Sequence, residues 1–146
     1  MNDVELYEYD FNRWIHNQIG LLKAGKTSEI DIEHLIEELE DMGKSNLREL
    51  ESRLVILIAH LLKWQFQPDQ QNSSWRGSIN EQRIQISRLL RKVPSLKREI
   101  PNAIIDAYSD ALMLAVKDTK LSNSIYPQTC PYTIEQLFDA DFYPEN

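Results

Sequence analysis

Arg53 and His60 are the two residues of this chain whose types and spacing best suit chemistry. Seven positions apart on a helix, they share one face about two turns apart. A histidine so placed can carry a proton while the arginine steadies a developing negative charge. The ordinary alternative is a hydrogen-bonded core histidine and an arginine paired with a neighbouring acid. Trp64 and Trp75 form a second constellation. They flank the loop from Gln65 to Ser74 and, with Arg76 and Arg83, are candidates to line a ligand or partner pocket. Aromatic residues at helix ends more often act as lids on a core.

Metal binding has weaker support. His34 with Glu37 or Glu38 has the step of three or four that sets two ligands on one helix face. A di-iron bundle needs two Glu-x-x-His pairs from different helices, and the chain has none. On a continuous helix His34 and His60 are about 39 Å apart, too far to share an ion. Cys130 is the single cysteine and has no partner for a zinc site. Between Thr129 and Pro131, nothing in its surroundings signals the lowered pKa of a nucleophile. No metal and no cofactor is therefore expected, and an acidic solvated face accounts for His34, Glu37 and Glu38.

The elements that position these residues are helical. Leu47, Leu50, Leu54, Leu57, Leu61 and Trp64 recur at steps of three and four, and most positions from Leu54 to Leu62 are apolar as well. A helix apolar on most sides is a central one. Asp10 can cap a first helix running to about Ala24, with Gly25 ending it. Ser28 or Asp31 can cap the next, whose stripe is Ile32, Leu35, Ile36, Leu39 and Met42. That stripe nearly continues through Gly43 into Leu47, which favours one long helix from about Asp31 to Gln67, with Gly43 as a place for a kink. Ser73 or Ser74 caps a helix that Pro94 stops, and Pro101 suits the first turn of the one after. There Ala103, Ala107, Ala111 and Ala115 form a small-residue ridge for close helix packing. Beyond Leu121 the chain is irregular, with a short helix expected at Ile134 to Phe138 and Tyr126, Tyr132, Phe138 and Phe142 as anchors.

Composition excludes several function classes. The chain has 146 residues and only 4 glycines, which leaves no Gly-rich phosphate cradle. The N-terminus is acidic without an apolar core, so neither a signal nor a transit peptide is expected. No apolar run approaches the ~20 residues that span a bilayer, and a lone cysteine suits a reducing cytoplasm. A net charge of -7 argues against general nucleic-acid affinity. It is unevenly spread: Glu29 to Glu51 holds nine acids against Lys44 and Arg48, while Arg76 to Arg98 holds seven bases against Glu81. Two complementary helix faces account for this pattern, and a basic stretch meeting an acidic partner is the sharper reading.

Several phrases together carry a resemblance: YDFNRW, IEHLIEELEDMG, SRLVILIAHLLKWQFQP, SSW, INEQRIQI, PSLK and CPYTIEQLFDADFYP. The chain resembles the DUF29 family, bacterial proteins common in cyanobacteria and without an assigned function. The resemblance covers almost the whole chain and implies a compact helical domain, with no catalytic residue to carry over. Arg53 and His60 are also similar to the Arg-x4-6-His signature of the HEPN superfamily, helical proteins many of which cleave RNA at a dimer interface. That likeness implies His60 acting on a ribose hydroxyl and Arg53 on the phosphate.

The expectation is an all-α single domain over residues 1–146. It takes the form of a mostly antiparallel bundle of about four long helices, with residues 121–146 packed on it as a tail. The expected function is a cytoplasmic, non-enzymatic protein-interaction or regulatory module, able to act as a homodimer. The alternative is a metal-independent HEPN-like ribonuclease using Arg53 and His60.

Overall fold

The computed structural model describes residues 1–146 and is all-α. Six α-helices occur: α1 (Asp3–Tyr9), α2 (Phe11–Lys23), α3 (Ile32–Phe66), α4 (Ser73–Lys92), α5 (Ile100–Thr119) and α6 (Ile134–Phe138). Short 3-10 turns lie between them, including Pro94–Glu99 before α5. Four of the α-helices have thirteen residues or more, and α1 and α6 are additional short ones. Helix α3 runs 35 residues without a break, through Gly43. Asn72, rather than either serine after it, caps α4 by accepting from Trp75 N at 2.8 Å.

Packing falls into two compact units, Met1–Lys44 and Ser45–Asn146, and the boundary lies within α3. The second unit holds a large core. Leu50, Leu54, Leu57, Ile58, Leu61 and Leu62 of α3 are fully buried, as are Ile79 and Ile86 of α4 and Leu137 of α6. The ridge of Ala103, Ala107, Ala111 and Ala115 is buried too, as small residues in a close helix contact should be. The aromatic tail is tied to the helices of this unit by hydrogen bonds. Tyr132 Oη donates to Gln65 Oε1 at 2.8 Å, and Tyr143 Oη donates to Asn80 Oδ1 at 2.8 Å. In return Tyr108 Oη, from α5, donates to the carbonyl of Pro127 at 2.6 Å.

The first unit is built differently. Its only buried residues are Leu6, Trp14, Gln18 and Asp31, two apolar and two polar. No helix of the chain is long and apolar enough to cross a membrane.

Candidate functional site

In the first unit, a polar latch holds α2 against the start of α3. Asp10 caps α2 by accepting from Arg13 N at 3.2 Å, and Gly25, at φ +70°, supplies the left-handed turn that ends the segment. The chain then returns so that Asp31 precedes α3. The Asp31 carboxylate accepts from Trp14 Nε1 at 3.0 Å and lies 2.7 Å from His34 Nδ1. Asp31 N donates to Gln18 Oε1 at 2.8 Å, and Gln18 Nε2 donates to Asp3 Oδ2 at 3.2 Å. Tyr7 stacks on the His34 ring at 3.9 Å and donates its hydroxyl hydrogen to Glu38. Burial pushes the Asp31 carboxyl up, but the hydrogen bonds from His34 and Trp14 outweigh it and hold its pKa below the ordinary value. The bond to Asp31 correspondingly raises His34.

Beside the latch, α2 and α3 leave a groove of about 300 Å³ lined by apolar side chains. Phe11, Ile15, Ile19 and Leu22 of α2 face Leu39 and Met42 of α3. Leu39 and Met42 are 64% and 63% exposed. Of the fourteen large hydrophobic residues that stay exposed in the chain, ten lie in residues 1–44. The same unit carries the charge. It has eleven acidic and four basic residues, whereas Ser45–Asn146 has twelve of each, so the net -7 belongs wholly to the first unit. An acidic unit with an open apolar groove can receive apolar side chains flanked by cations.

The residues singled out from sequence are dispersed. Arg53 donates through Nε to Glu49 Oε2 at 3.0 Å and through Nη1 to Gln82 Oε1 at 3.2 Å. His60 is half-buried, with Nδ1 2.8 Å from the carbonyl of Ile56 one turn back. Burial lowers its pKa below the ordinary value. No hydrogen bond links His60 to Arg53. Trp64 and Arg76 do meet: the Arg76 guanidinium sits 5.1 Å from the Trp64 ring and 4.4 Å from that of Tyr143. Trp75 is instead covered by Lys63, whose Nζ also pairs with Asp118 at 3.0 Å. Arg83 is buried, with its Nε and Nη2 donating to the carbonyls of Leu137 and Gln136.

His34 is committed to Asp31 and Tyr7, and Glu38 to Tyr7. No three His, Cys, Asp or Glu side chains converge on one point. Cys130 is half-buried, its thiol pushed up by burial and resting 3.7 Å from the Tyr132 carbonyl.

Comparison with known proteins adds one match, the family described as Domain of unknown function DUF29, over residues 6–143. No curated protein and no solved structure matches the chain. Since the match spans nearly the whole length, the chain belongs to the DUF29 family.

Proposed function

We propose that this chain is a non-enzymatic protein-interaction module, and that the α2–α3 groove receives a basic amphipathic helix of a partner protein. The observation that carries the reading is the coincidence, in one unit, of an uncovered apolar groove and the entire net charge. Helix-in-groove recognition uses apolar anchors at helical spacing, and flanking cations add complementarity and speed of encounter. A second copy docking groove to groove would bring two units of like charge together, so a different, basic partner is the better occupant. A cytoplasmic setting fits the unpaired Cys130. The ribonuclease alternative asks Arg53 and His60 to act together, whereas each is engaged with other groups.

Calorimetric titration of the full chain with designed helical peptides tests this reading. A leucine/lysine peptide of about four turns should bind, and a leucine/glutamate peptide of the same pattern should not. Leu39→Ser, which preserves the charge, should weaken binding about tenfold through lost apolar burial. Absence of binding by the lysine peptide would overturn the proposal. So would unchanged affinity in Leu39→Ser, which would reduce the attraction to charge alone.

A further inference from the structure

Arg83 is only 7% exposed, yet no carboxylate lies within ion-pair distance of it. Its Nε donates to Leu137 O at 2.8 Å and its Nη2 to Gln136 O at 3.1 Å, while the buried Nη1 has no acceptor. The Tyr143 ring lies 5.6 Å from the guanidinium carbon. Asp139 favours the charge through space without reaching it. Arginine stays protonated in such a setting, so a buried cation is left without a counter-ion, a costly arrangement.

Around this cation lies a hollow of about 240 Å³ that opens beside a shallower one of about 630 Å³. The two share Arg83, Ser87, Arg91 and Phe138. Ser87 and Arg91 follow Arg83 one and two turns along α4, and Lys97 reaches the smaller hollow from the Pro94–Glu99 turn. Ser87, Arg91 and Lys97 are all exposed, and neither Arg91 nor Lys97 is in an ion pair. Phe138 and the half-exposed Ile84 give the wider hollow an apolar wall.

We infer that Ser87, Arg91 and Lys97, backed by the unneutralised Arg83, form a binding site for a small phosphomonoester whose organic group rests on Phe138 and Ile84. The arginine fork matches phosphate oxygens, the ammonium adds a point charge, and the hydroxyl donates one more hydrogen bond. Arg83 contributes its field from behind these donors. The two hollows are separate from the α2–α3 groove and do not depend on its function.

NMR titration of the ¹⁵N-labelled full chain at constant ionic strength tests the site, with phenyl phosphate and inorganic phosphate as probes. Phenyl phosphate should shift α4 and α6 resonances saturably and bind more tightly than inorganic phosphate. Arg91→Ala should weaken it about tenfold, the loss expected for a charge-assisted contact. Arg98→Ala, an exposed cation outside both hollows, should leave it unchanged. Arg83→Gln removes the buried charge but threatens the fold, so Arg91 is the deciding position. No saturable shift up to about 10 mM would overturn the site. Equal losses in Arg91→Ala and Arg98→Ala would do the same, as would phenyl phosphate binding no better than inorganic phosphate.

Discussion

Replacing Asp31 by alanine should unfold one part of this chain and spare the other. The carboxylate accepts hydrogen bonds from Trp14 Nε1 and His34 Nδ1, and its Oδ1 lies 3.4 Å from His34 N in the first turn of α3. Trp14 is 2% exposed, so its indole N–H would be left buried without an acceptor, at a cost of about 1–3 kcal/mol. Loss of the helix cap adds about 1 kcal/mol. The sum, about 2–4 kcal/mol, is large for a unit whose only buried residues are Leu6, Trp14, Gln18 and Asp31. Hydrogen exchange read by mass spectrometry separates the two units. Protection across α2 and the first half of α3 should fall roughly thirtyfold to several-hundredfold. Protection across α4, α5 and the second half of α3 should stay as in the parent chain. A uniform loss throughout, or no loss in residues 11–43, would mean that this latch does not hold the first unit.

Other outcomes follow from the same geometry. The latch should be pH-dependent with opposite signs at its two members. The depressed Asp31 contributes stability above its unfolded pKa of ~3.9, lost as pH falls through its lower folded value. The raised His34 contributes fully below ~6.5, and this is lost as pH rises through its higher folded value. Exchange protection of α2 should therefore be greater near pH 6 than at about pH 8.5, a difference that His34→Gln abolishes. Gly43→Ala should stabilise the chain by about 0.5–1 kcal/mol in urea titrations, because a Cβ at this mid-helix position meets nothing within 4 Å. Leu57→Ala, in the packed core of the second unit, should cost about 2–5 kcal/mol by the same assay. Arg53→Ala should cost about 1–2 kcal/mol, since the Glu49 ion pair is exposed but the buried Gln82 loses a donor, and His60→Ala about 1 kcal/mol, the Ile56 bond being only half-buried. Neither should remove any RNA-cleaving activity from the purified protein; loss of such activity in both, with melting unchanged, would favour the ribonuclease.

Much of the second unit was legible because its signals are local or periodic. The leucine seam of α3, the alanine ridge of α5, the stop at Pro94 and the first-turn place of Pro101 all reappear where spacing and proline chemistry put them. Continuity through Gly43 was also readable, since one glycine costs a helix less than the adjoining stripe supplies. Helix α1 was not legible: it buries a single residue, Leu6, so no apolar period marks it. Sequence puts the cap of α4 one or two residues late because Asn72, Ser73 and Ser74 are all good caps, and only Trp75 N meeting Asn72 selects among them.

The candidate sites show a deeper limit. Periodicity reveals an apolar stripe but not whether anything covers it. Ile32, Ile36, Leu39 and Met42 have the spacing of a core face and remain exposed, and Leu39 and Met42 form one wall of the groove. Arg76 and Arg83 are likewise alike in sequence. Tail carbonyls more than fifty residues away bury one of them, while the other remains exposed on aromatic rings.

Mapping where a basic amphipathic helix binds decides whether the acidic α2–α3 groove receives it. Titration of the ¹⁵N-labelled chain with the leucine/lysine peptide should shift backbone resonances of α2 and of α3 up to Met42, with broadening of the Trp14 indole signal. Shifts confined to residues 45–146, or none at all, would contradict binding in the groove.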